Sequence, residues 1–168
     1  MPNAILDIHT MLYNNLFGNH KLHTLFNPPN IKLMLLLLWF FPVLFAPELQ
    51  VEFSNIREAK GNLYIAVYDQ EGAFLKTGQV RSKKIVPITQ IGSMKISLGN
   101  LPPGKYALSC FHDLNGNGAL DTNWMGIPNE PYGFSKNARP KFRAPKWGEA
   151  AFDLLESGGT IAVRLEKW

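Results

Sequence analysis

Cysteine is nearly absent. The 168-residue chain carries one, Cys110, which excludes an internal disulfide and removes cysteine usage as a guide to compartment. Charge is sparse as well: charged residues make up 18% and apolar ones 46%, the balance of a folded globule and not of a disordered tail. The net charge of +4 allows weak attraction to anionic surfaces but falls short of a nucleic-acid binder's basic footprint, so no nucleic-acid partner is expected. No uncharged apolar run reaches the roughly 20 residues of a bilayer-spanning helix. After Ala46 there is no convincing helical period, no internal repeat and no low-complexity tract. Cys110 alternates with apolar neighbours and reads as a buried structural thiol; no local signature supplies a group to activate it.

What is present begins with an address. Residues Leu33 to Ala46, LMLLLLWFFPVLFA, are fourteen positions without charge, preceded by Lys32 and, further back, Lys21. That length suits the apolar core of a signal peptide, and Pro42 would kink a helix there. Ala46 is a reasonable last residue, whereas Leu44 is large and Pro47 hinders a cut. The expectation is export, to the periplasm, the outer surface or the medium, with a membrane-tethered form if the segment is retained. Residues 1–30 make an unusually long lead-in, and Met11 is a candidate start. The chain thus divides into a leader, residues 1–46, and one folded domain, residues 47–168. His9, His20 and His23 all precede the signal segment.

From Glu48 the texture is short alternating runs between turn residues. LQVEFSNI places Leu49, Val51 and Phe53 on one face, and NLYIAVYD does the same with Leu63, Ile65 and Val67, the period of half-buried strands. The EAKGN between them supplies a turn, so these two are expected to form a hairpin. Further strands are read at Gln79–Ile88, with an edge-type Pro87, at Ser93–Leu98, after the Pro102-Pro103-Gly104 turn through Cys110, at Ala150–Leu155 and from Thr160. About seven short strands predict an all-β, immunoglobulin-like or prealbumin-like two-sheet sandwich. Between His112 and Gly148 no strand pattern is legible. So long a connector in a compact domain is usually functional or disordered, and its five aromatics argue for a packed loop.

That loop opens with HDLNGNGALDTNW. Calcium takes six to eight oxygens from a loop that curls around it, with glycine at the sharpest point. Asp113, Asn115, Asn117, the Ala119 carbonyl and Asp121 stand at positions one, three, five, seven and nine of such a loop, with Gly118 at six. Trp124 occupies the twelfth place where a bidentate Glu is usual, so a further ligand, Asn123 or Glu130, would have to complete the shell. Two carboxylates imply an affinity on the order of 0.1 to 1 mM. The same residues also make tight turns unaided, because Asn and Gly tolerate positive φ and Asx side chains cap the backbone. His112 beside Asp113 raises a hydrolase-like pair as an alternative. A lone histidine at a strand end is more often a structural hydrogen-bonder.

The run LPPGKYALSCFHDLNGNGALDTNWMGIPNEPYGFS, Leu101 to Ser135, closely resembles the hallmark of bacterial domain-of-unknown-function family 2141. In that family a PPG turn and a YA strand lead into HD, N, NG, LD, N, GIP, E and YGFS elements at this spacing. The resemblance spans about Leu49 to Leu165 and implies a small exported β-sandwich; it brings no activity. A looser likeness to prealbumin-like surface modules, which share the PPG-x-Y strand and the D-x-NGNG-x-x-D turn, implies calcium. One departure follows the GFS: KNARPKFRAPKW interleaves cations with aromatics.

Trp124, Tyr132, Phe134, Arg139, Lys141, Arg143 and Trp147 are therefore read as a binding surface, suited to a cell-surface glycan or an envelope protein, against the plainer account of a solvated loop pinned by its aromatics. The leading expectation is an exported, non-enzymatic module whose calcium loop shapes that surface. The alternatives are a hydrolase using His112 and Asp113, and a metal-free structural clamp in which Glu130 satisfies backbone donors.

Overall fold

Alternation builds the first strand as expected. In the computed structural model, which describes residues 47–168, strand β1 (Glu48–Ile56) buries Leu49, Val51 and Phe53 completely and turns Glu48 and Glu52 to water. Strand β2 (Asn62–Tyr68) buries Leu63, Ile65 and Val67 in the same way. The leader reading, residues 1–46, lies outside the described residues.

The expected β1–β2 hairpin does not form. β1 lies in a three-stranded sheet, antiparallel to β4 (Gly92–Asn100) and parallel to β8 (Gly159–Arg164). β2 belongs to the other sheet, between β3 (Ser82–Pro87) and β5 (Gly104–Asp113). Each strand carries one wholly apolar stripe. Setting the stripes on opposite sheets lets them cover one another across the core, which a side-by-side hairpin would not do. The corner between them turns at Gly61, with φ +68° and a Cβ position only 2.0 Å from the Asp113 carbonyl oxygen, so no side chain fits there. This is an all-β two-sheet sandwich.

The second sheet is completed by β6 (Tyr132–Phe134) and β7 (Phe152–Leu154), both paired to β5, at Ser109–Phe111 and Gly104–Tyr106 respectively. Strand β6 lies inside the connector read as strandless: three residues are too few to display a period. It forms because Gly133 lets the chain press against β8. A Cβ there would sit 2.8 Å from both the Arg164 carbonyl oxygen and Val163 Cγ1. Tyr132 and Glu166 then exchange backbone hydrogen bonds and join the two sheets along this side. Strand β3 is an edge carrying Lys83, Lys84 and Pro87, residues that discourage further pairing. Among the described residues helix is confined to short turns, such as Trp147–Ala150, here α1. Among the described residues no helix is long and apolar enough to cross a membrane.

Two side chains fix what surrounds β5. The Tyr106 hydroxyl donates to the Pro102 carbonyl at 2.8 Å and ties the PPG turn to its strand. Fully buried Ser135 accepts from the Leu108 N–H at 2.9 Å and donates to the Ala150 carbonyl at 2.5 Å, stitching β5, the end of β6 and α1 together. Replacing Ser135 by Ala strands both backbone groups, and the expected loss is about 1–3 kcal/mol of unfolding free energy with an unchanged urea m-value. A loss below about 0.5 kcal/mol, the range of neutral surface changes, would show that the hydroxyl does not hold these elements.

Candidate functional site

The loop after β5 is organised by its first carboxylate. Asp113 is fully buried. Its Oδ1 accepts the N–H groups of Gly116 and Asn117 at 2.7 and 3.2 Å, and its Oδ2 accepts that of Gly118 at 2.8 Å. Gly116 and Gly118, at φ +78° and +79°, let the chain curl back over it. Asn115 and Asn117 each accept the N–H two residues on. Their carboxamide nitrogens turn inward to Asp121, at 2.6 Å onto Oδ2 and 2.9 Å onto Oδ1. Of the four side chains that the spacing singled out, Asn115, Asn117 and Asp121 meet one another, while Asp113 holds the backbone of the turn beneath them. Exposed Ala119 stands on the rim and is held through its N–H.

The two further ligand candidates are engaged elsewhere. Buried Glu130 spans the base of the loop: one oxygen accepts the Leu114 N–H at 2.7 Å and the other the Asp121 N–H at 3.2 Å. Asn123 accepts from Met125 and Ile127 and caps a small hairpin, closed by the Thr122–Pro128 bridge, with Trp124 at its tip. Among the described residues no cluster of three or more His, Cys, Asp or Glu is placed to hold a metal, so any cation site would depend on the two asparagines.

His112 and Asp113 are not a pair. Consecutive strand residues face opposite ways, and their hydrogen bonds run to different partners. The buried imidazole lies 2.7 Å from the Lys60 carbonyl through Nε2. A carbonyl only accepts, so Nε2 carries a proton; Nδ1 has no partner among the described residues. The ring borders a cavity of about 240 Å³ shared with Asn55, Glu58 and Leu165. Burial pushes the Cys110 thiol far up, and its sulfur rests on the Gly133 carbonyl; it is structural.

Beside the hairpin runs an apolar groove of about 540 Å³, within the range of ligand sites. The hairpin supplies Met125, Ile127 and Pro128; Phe134, Phe142 and Trp168 line the rest. Of the residues read as a binding surface, Tyr132, Phe134 and Arg143 line it, and exposed Lys141 flanks it. Trp124 stands 91% exposed at the hairpin tip. Arg139 covers the Tyr132 ring and pairs with Glu166, and Trp147 packs edge-on against Phe74, so these two act as supports. Sequence reasoning missed Leu75, Met125 and Trp168, which lie in segments without periodicity. Phe142, one of the loop's aromatics, belongs to the groove too. Phe142 and Leu75 hold left-handed backbones, φ +60° and +61°, each costing about 1–2 kcal/mol for a residue with a side chain. Strain of this kind collects at functional surfaces.

Arg143 is held by a forked pair to Glu149, both contacts 2.7 Å. That fork, helped by the Lys146 N–H, lowers the Glu149 carboxyl from 4.5 to about 2. A depressed carboxylate stabilises above its unfolded value and loses that contribution as pH falls through the folded one. Carbon-detected titration of Glu149 should accordingly show a midpoint near 2, moving back toward 4.5 in Arg143→Gln. A midpoint already near the ordinary value in the native protein would remove the fork as the groove's anchor. For the clamp, Glu130→Gln leaves one of two N–H donors facing an NH2 group, and a loss of about 1–3 kcal/mol in urea unfolding is expected. Unaltered stability would mean that the carboxylate does not close the loop.

The family profile described as "Uncharacterized protein conserved in bacteria (DUF2141)" matches residues 51–162, from β1 through the loop into β8. No curated protein and no solved structure matches the chain. With most of both sheets and the whole HD-to-YGFS loop inside the matched range, the chain belongs to the bacterial DUF2141 family of uncharacterised proteins.

Proposed function

We propose that the protein is an exported, non-enzymatic β-sandwich module whose Asp113–Glu130 loop takes up calcium and presents the adjoining groove to a component of the cell envelope. The observation that carries this reading is the convergence of Asn115 and Asn117 on Asp121 above the buried Asp113. In that arrangement the two carboxamide NH2 groups provide the positive partners of the Asp121 carboxylate. Rotating each carboxamide turns an oxygen inward at the expense of the backbone N–H it accepts here, and a divalent cation then replaces the two NH2 groups. Asp121, Asn115, Asn117 and the rim carbonyl of Ala119 would hold the ion, with Asp113 as the fixed root. The donor set is all oxygen, which suits calcium, and its low charge suits an extracellular affinity of about 0.1–1 mM. The leader, Leu33 to Ala46, supports export to the periplasm, the outer surface or the medium. The separate engagements of His112 and Asp113 support a role without catalysis. The aromatic and cationic groove suits a surface glycan or an envelope protein in kind.

One observation favours a second reading, a metal-free clamp: Glu130 already closes the loop by holding Leu114 and Asp121. Calorimetry and thermal unfolding with calcium chloride separate the two. On the calcium reading, calcium at ten times its Kd adds about 1.4 kcal/mol of stability, a rise of about 5 °C in Tm. Asp121→Asn should abolish that response while leaving the calcium-free Tm nearly unchanged. No heat and no shift at several times about 1 mM, the weak end of such sites, leaves the clamp as the loop's only role.

A further inference from the structure

Resting on the reading of the groove as a binding surface, we infer that its occupant is an anionic lipid bilayer surface, entered by Trp124, Met125, Phe142 and Trp168 and held at its headgroups by Lys76 and Lys141. These four apolar side chains are 91%, 57%, 87% and 48% exposed, and Leu75 joins them at 36%. Soluble surfaces carry such residues singly, whereas here Leu75, Met125, Phe142 and Trp168 line one groove, and Trp124 directly adjoins Met125. The rings of Phe142 and Trp168 lie 5.8 Å apart.

Charge decides between occupants. Two of the groove's exposed apolar residues are each followed or preceded by an exposed lysine: Leu75 by Lys76, Phe142 by Lys141. Neither lysine has an ion-pair partner among the described residues, whereas Lys167, next to Trp168, faces the other cavity with Glu58. Among the described lining residues no Asp or Glu side chain occurs, and the only charged one is Arg143. Apolar tips next to lysines without ion-pair partners match a bilayer interface, where aromatics settle at headgroup depth and lysines reach anionic phosphates. A neutral glycan would leave the lysines without purpose. An acidic protein surface would satisfy them but offers less to a tryptophan standing 91% exposed at a hairpin tip. The left-handed backbone at Phe142 holds its ring 87% exposed, which serves insertion and opposes burial within the protein.

The test uses the full chain with phosphatidylcholine vesicles, with or without phosphatidylglycerol, each carrying brominated acyl chains that quench tryptophan on contact. The leader and its Trp39 are common to every variant, so the increment lost in Trp124→Phe plus Trp168→Phe reports the groove alone. That increment should appear with phosphatidylglycerol and fade with salt. Each lysine near an anionic surface strengthens binding about fivefold, so Lys76→Gln plus Lys141→Gln should weaken it about 25-fold. Phe142→Ser should remove the increment while leaving the Tm unchanged or raised. Equal quenching in both vesicle types, or none from Trp124 and Trp168, overturns the lipid assignment. If an acidic amphipathic peptide, or the polyanionic glycan heparin, then binds and Phe142→Ser abolishes that binding, the groove remains a partner surface of another class. Silence toward vesicles, peptide and glycan alike brings down the binding-surface reading as well.

Discussion

A carboxylate with no access to water must be matched by donors, and Asp113 sits fully buried where β5 ends. Leaving it unmatched would cost several kcal/mol. Three backbone N–H groups from the next five residues meet that demand. They reach it only if the chain curls back at once, which is why glycines with positive φ stand at 116 and 118. The curl exposes further backbone donors at Leu114 and Asp121, and a second buried carboxylate, Glu130, accepts both. From that point the path of the hairpin is determined. The segment from 121 to 130 is held at both ends, and its tip, Trp124 and Met125, is delivered to the groove.

Strand β5 is the spine of this arrangement. Its inward residues each meet a different element: Tyr106 the PPG turn, Leu108 the Ser135 hydroxyl, Cys110 the Gly133 carbonyl, His112 the Lys60 carbonyl. The GFS of the family hallmark thereby acquires physical meaning. Gly133 is there because β8 presses on it, and Ser135 because two backbone groups need one hydroxyl. Neither residue lines the groove. Much of what marks this loop as a motif therefore serves to attach a connector firmly to a sandwich.

The residues that showed themselves in the sequence were those whose neighbours in space are also neighbours along the chain. Leu49, Val51, Phe53 and their counterparts in β2 announce a sandwich by alternation. The loop side chains 115, 117 and 121 announce their meeting above Asp113 because six to eight residues cannot separate far when glycines fold them back. The partner of β1 was not legible, since alternation says which face is buried and not which strand lies alongside. Strand β6 was hidden by its length; Glu130 was legible as a clamp, but not that its donors would be Leu114, 16 residues back, and Asp121. The groove was half legible: Phe142 and Arg143 stand together in KNARPKFRAPKW, but Leu75 and Trp168 come from far along the chain.

The clamp and the groove make sense as one device. A binding surface assembled from loops ordinarily loses affinity to the entropy of ordering them, about 0.5–1.5 kcal/mol per immobilised side chain. Here that ordering is already complete. Asn123 and Glu130 fix the hairpin, the Arg143–Glu149 fork fixes the far wall, and Arg139 lies over the Tyr132 ring at 4.8 Å. What stays free is confined to the tips of Trp124, Phe142 and Trp168 and to lysines that nothing in the described domain engages. A polar framework that uses up its own donors and acceptors leaves only apolar surface and unpaired positive charge to meet a partner. That division, with polar groups facing inward to hold the loop and apolar groups facing outward to meet something else, is the reverse of an ordinary soluble loop. It is also the reason the connector is long: a shorter one could join the strands but could not carry both layers.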